Sequence, residues 1–180
     1  MRCRQAGLTL TECLIALAIA AVIATRGTPA LGRLIAESRL VTQANALLTA
    51  LQLTRAHAWR SNEAWTLCLT DDGARCKPGR NGLARGWLVL PASAVATGLR
   101  DTQLNPGLAD LRSGLLAEDL ALHGTRLGVT FWPLSRGGTT ATLTLCSALR
   151  GLAPRQIIIS QTGRPRLKTV ASSAVCPAAR

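Results

Sequence analysis

The residues with the clearest chemical potential lie near the C-terminal end of this 180-residue sequence. Gly163-Arg164-Pro165-Arg166 follows an apolar run, Lys168 extends it, and Arg150 and Arg155 stand upstream. A guanidinium is a planar fork that matches phosphate oxygens. Pro165 fixes its own φ and splays the arginines on either side, and Gly163 permits a turn before them. No acidic residue follows Asp119, whereas that stretch holds Arg126, Arg136, Arg150, Arg155, Arg164, Arg166, Lys168 and Arg180. Such a cluster suits a nucleic-acid backbone, gripped without reading base sequence. Three to five phosphate contacts imply a log–log salt slope of about −3 to −5. No aromatics interleave the basic residues, so base stacking is not expected. The plain alternative is a structural turn with solvated arginines. The net charge of +12 is ambiguous in the same way, because Arg dominates and Lys occurs only at Lys77 and Lys168.

Other candidate chemistry is sparse. His57 and His123 stand alone, outside any Ser-His-Asp or HExxH context, and the Gly-rich pieces lack phosphate-loop spacing. No catalytic residue, metal site or cofactor is expected. Asp71 and Asp72 sit in a turn, where Asp belongs for conformational reasons. Of the six cysteines, Cys68, Cys76, Cys146 and Cys176 fall in the C-terminal part. An even number there fits two disulfides in an oxidising compartment. Three pairings are possible, and Cys68–Cys76 with Cys146–Cys176 is preferred. Zinc is the rival reading, but no CxxC spacing supports it.

The N-terminal segment must position whatever the C-terminal part does. Leu8 to Thr25 is apolar except for hydroxyls and Glu12. At about 1.5 Å per residue the run spans roughly the hydrocarbon thickness of a bilayer. Arg2 and Arg4 precede it, which keeps the start in the cytoplasm and sends the rest outward. A carboxylate inside such a helix is costly and implies a partner. Beyond Gly27 and Pro29, Leu31, Leu34, Ile35, Val41, Ala44, Leu48 and Leu51 recur at helical steps, predicting an amphipathic helix to about Ser61. Pro29 is expected to kink it. From Trp65 the texture becomes β-rich. Strands are expected at 65–70, 86–90, 127–132, 139–146 and 155–160, parted by turn signals such as DDG, KPGRNG and SRGG. Residues 104–122 read as a loop with a short helix. Hydrophobic residues make up 48 % but aromatics 3 %, so the core must rest on aliphatics, anchored by Trp59, Trp65, Trp87 and Trp132.

Gly7-Leu8-Thr9-Leu10-Thr11-Glu12 resembles the type IV prepilin motif, with Leu8 where Phe is usual. The resemblance implies cleavage after Gly7 by prepilin peptidase and N-methylation of Leu8. It also implies that Glu12 pairs with a neighbouring subunit's amine, setting filament register, and Pro29 matches the family's helix proline. The order TLC, GW, the Phe131–Pro133 strand, a second TLC and TGRPR is similar to the H-type minor pseudopilins and FimT-like minor pilins. The implied fold is α+β and pilin-like, a long N-terminal helix packed on an antiparallel β-sheet. The implied divisions are a leader at 1–7, a transmembrane helix at 8–29, an amphipathic helix at 30–62 and a β-rich head at 63–180.

In FimT-like proteins a GRxR motif at this place is associated with DNA binding during natural transformation, and Arg164 and Arg166 match it. The favoured expectation is therefore a non-catalytic minor pilin of a type IV pilus, binding DNA through a loop with Arg164, Arg166, Lys168, Arg155 and Arg150. The alternative is a minor pseudopilin of type II secretion. A signal-anchored, lipid-binding monomer is a third reading. Implied partners are other pilins or pseudopilins, prepilin peptidase, DNA, and the inner membrane before assembly. The chain would cross that membrane once, with its head in the periplasm, and reach the cell surface in a pilus. Mass spectrometry of the mature protein should find N-methylated Leu8 as its first residue; retention of residues 1–7 would refute the pilin reading.

Overall fold

The computed structural model describes residues 9–97, 113–133, 137–149, 151–171 and 176. They divide into two compact units, Met1–Glu37 and Ser38–Arg180. Helix α1, Leu10–Ser61, contributes to both.

Within the first unit, Thr9 caps the helix. Its hydroxyl accepts a hydrogen bond from the Glu12 amide at 3.3 Å, with Glu12 in the first turn. Leu10, Leu14, Ile15, Leu17, Ile19, Val22 and Ile23 are all exposed. This stretch is long and apolar enough to cross a membrane. The helix continues through Gly27 and Pro29.

In the second unit α1 buries a narrow stripe: Leu40, Ala44, Leu47, Leu51, Thr54 and Ala58. These positions recur at three- and four-residue steps, as a helix face must. The buried stripe differs from the expected one by a position, with Leu40 and Leu47 fully buried and Val41 and Leu48 half-buried. Thr54 satisfies its buried hydroxyl by donating to the Ala50 carbonyl at 2.6 Å.

Nine strands follow: β1 (Trp65–Thr70), β2 (Gly82–Ala84), β3 (Gly86–Pro91), β4 (Ser113–Leu115), β5 (Leu120–Gly124), β6 (Gly128–Phe131), β7 (Ala141–Ser147), β8 (Arg155–Ile159) and β9 (Pro165–Thr169), with a short α2 (Ala92–Thr97) after β3. They form two sheets, β4-β3-β1-β6 and β2-β5-β7-β8-β9, with every pairing antiparallel. One core joins helix and sheets: Leu40, Leu47 and Leu51 meet Leu67, Val129, Phe131, Leu143, Leu145, Ile157 and Ile159.

The five expected strands are present, with ends shifted by a residue or two. Strands β2, β4, β5 and β9 were not expected. Two of them fall in the span read as loop and short helix; within it, residues 104–112 lie outside the described set. The single expected sheet is two sheets. Trp65 and Trp87 anchor the core as expected, at 6 % and 4 % exposure, but Trp59 and Trp132 are exposed at 53 % and 43 %.

Both preferred disulfides are present, Cys68–Cys76 and Cys146–Cys176, with Cα–Cα separations of 5.5 and 5.9 Å. The first closes the Asp71–Asp72 turn. Asp72 Oδ1 accepts hydrogen bonds from the Ala74 and Arg75 amides and the Thr70 hydroxyl, which lower its pKa to about 2. Asp71 pairs with Lys77.

Leu143 is fully buried between helix and sheet partners. Leu143→Ala removes that packing and should cost about 2–5 kcal/mol, read by denaturant unfolding.

Candidate nucleic-acid interface

The basic motif begins in the turn between β8 and β9. The Gly163 amide donates to the Ser160 carbonyl at 2.9 Å, closing the turn, and Gly163 takes φ +69°. A Cβ there would lie 3.2 Å from the Gly138 nitrogen and 3.3 Å from Phe131 Cδ1. The turn is braced from below, since the Gly138 amide donates to the Gln161 carbonyl at 3.2 Å. The positive φ favours glycine, and the space for a Cβ is tight.

The expected basic loop is largely a strand. Pro165–Thr169 is β9, paired antiparallel with β8 so that Arg166 opposes Ile158 and Lys168 opposes Gln156. Gly163 and Pro165 are turn signals, and they point to a loop although Arg166 and Lys168 alternate with Leu167. Proline at its first residue is tolerated because β9 is an edge strand. Arg166 and Lys168, two residues apart, share one face of it. Both are exposed, as is Arg164.

Arg164 and Arg166 line an open groove with a volume of about 570 Å³. Its other wall is a face of α1: Gln52, Arg55, Ala56 and Trp59, at i, i+3, i+4 and i+7. The Arg55 guanidinium carbon lies 5.0 Å from the Trp59 ring centroid, a cation–π arrangement. Three arginines and an exposed indole thus surround one groove. Among the described residues no carboxylate is within ion-pair distance of Arg164, Arg166 or Lys168.

The remaining expected residues are placed differently. Arg155 pairs with Thr169 at the far end of the β8–β9 ladder; it is half-buried, and its Nη1 donates to the Thr169 hydroxyl. It does not line the groove. Arg150, Gly7 and Leu8 lie outside the described residues, and of Pro29 only the helical backbone is described. Arg55 and Trp59 were missed as site residues. Their signal was the i, i+4 spacing of an Arg and a Trp off the apolar stripe.

The comparisons with known proteins agree with this architecture. Residues 43–163 match the family of type II transport protein GspH, and residues 2–25 match the prokaryotic N-terminal methylation motif. The chain belongs to the GspH family and is a type IV pilin-like minor pilin or pseudopilin of the H type. Its fold is similar to the crystal structure of the Pseudomonas aeruginosa type IV minor pilin FimU, at 21 % identity and TM-score 0.50, covering 76 % of this chain and 92 % of that one. The Vibrio cholerae minor pseudopilin EpsH aligns at 15 % identity and TM-score 0.49, over 76 % of this chain and 99 % of that one. No curated protein matches the sequence. The family match ends at Gly163, immediately before the arginines.

Replacing Gly163 by Ala forces a side chain into a left-handed backbone and a tight space. The variant should lose about 1–2 kcal/mol of stability, measured by chemical unfolding.

Proposed function

We propose that this protein is a FimT-like minor pilin of a type IV pilus, whose head binds the DNA backbone for natural transformation. The observation that carries the reading is the convergence of Arg164 and Arg166 on one open groove with Arg55, and Lys168 exposed two residues beyond Arg166. Guanidinium forks suit phosphate oxygens, and no described carboxylate competes for them. Arg155, tied to Thr169, is a supporting side chain rather than a phosphate contact in this reading.

The apolar helix serves as membrane anchor and assembly element. It is trimmed after Gly7, crosses the inner membrane once with its head in the periplasm, and joins other pilins through the face that carries Glu12. In the filament the head reaches the cell surface. Affinity from a few phosphate contacts is weak, so several subunits act together.

A second reading is a minor pseudopilin of type II secretion. It is favoured by the description of the family matched over residues 43–163. Neighbouring secretion genes support it, whereas other minor pilin genes support the first.

The test uses the full-length chain in nonionic detergent and fluorescence anisotropy with labelled DNA. Binding should weaken with a log–log salt slope of about −3 to −5. Arg164→Gln/Arg166→Gln should reduce that slope by about 2. Equal binding by this double variant would remove these residues from the interface.

A further inference from the structure

We propose that the groove between α1 and the start of β9 seats an unpaired DNA base on Trp59, so that the preferred ligand is single-stranded DNA. The inference rests on the DNA-binding reading above and adds what part of the nucleic acid enters the site.

Trp59 is the exception among the aromatic side chains near the helix end. Trp65 is in the core and stacks on His57 at 5.1 Å between centroids. Trp59 instead stays 53 % exposed, off the buried stripe of α1. Its ring lines the groove that Arg164 and Arg166 share. The Arg55 guanidinium over the ring puts a cation beside the stacking surface. Arginines for phosphates and an aromatic for bases are the two parts of a single-strand site. The volume of about 570 Å³ lies within the range of small-ligand sites. Gln52 adds an amide donor and acceptor on the same wall.

Duplex DNA keeps its bases stacked inside the helix, so it offers this groove only its backbone. An unpaired base has a free π-face, which any of the four bases supplies. The groove therefore discriminates by strandedness and not by sequence. Arg55 is a positioning residue here, holding the indole from one side while a base takes the exposed remainder.

The test compares a labelled oligothymidine, a duplex of equal length and inorganic polyphosphate as ligands of the full-length chain in detergent. Trp59→Ala should weaken oligothymidine binding about five- to hundredfold and leave duplex and polyphosphate binding within twofold. Trp59→Phe keeps an aromatic face and should retain most single-strand affinity. Oligothymidine should also quench indole fluorescence in the wild type, with the quenched fraction lost in Trp59→Phe. Unchanged oligothymidine affinity in Trp59→Ala, or equal losses for all three ligands, overturns the inference while the DNA reading stands on the arginine variants. Wild-type protein that binds neither DNA form overturns both.

Discussion

Burial of one narrow stripe of α1 is the constraint on which the head depends. Ala44, Ala50 and Ala58 sit among Leu40, Leu47 and Leu51 at near-zero exposure. Small side chains let the helix approach the sheets closely, and the leucines fill the space between, each contributing about 1.5–3 kcal/mol when fully buried. With that stripe turned inward, the face holding Gln52, Arg55, Ala56 and Trp59 is left for the groove. The same packing decides what the other wall is. The second sheet runs β2-β5-β7-β8-β9 and ends at β9, so the groove forms where the sheet stops.

An edge strand has its own requirements, and they bear on the basic residues. Unpaired backbone groups along an edge invite pairing with another chain, and proline and lysine are common defences. Pro165 and Lys168 meet that need on β9 without any ligand. Arg164 does not fit this explanation. It precedes the strand, in a turn that Gly163 and the Gly137–Gly138 backbone hold in place, and it faces a helix that carries a further arginine and an indole. Keeping another chain from pairing with the edge explains charge on β9; it does not explain arginines from two distant segments around one groove. The family match covers the scaffold together with Arg55 and Trp59, and Arg164 and Arg166 follow directly after its last residue.

Much of the architecture was legible in the sequence because it rests on strong local signals. The apolar run with Glu12, the helical periodicity ending at Ser61, and the β-rich segments between Gly-containing turns each correspond to an element. The cysteine count allowed three pairings, and the preferred one, with Cys68–Cys76 over the DDG turn, is the one present. The misread parts have physical reasons. Strands β2 and β4 have three residues each, too few for a period of two to show. Strand β9 alternates arginine and lysine with small or apolar residues at an edge, where burial imposes no pattern. Trp59 was counted as core because indoles usually are, and its exposure follows only from which helix face the sheets cover. The groove itself joins residues far apart in sequence, so it became visible only in the fold.

DNA that occupies the groove between α1 and β9 must lie within reach of Trp59 and the 163–168 segment. Photocrosslinking can locate it, using a single-stranded oligonucleotide with 5-iodouracil at successive positions and mapping the adducts by mass spectrometry. Crosslinks are expected to concentrate at Trp59 and its groove neighbours in the 163–168 segment. Crosslinks confined to other basic surfaces, with Trp59 and that segment unmodified, would contradict that placement.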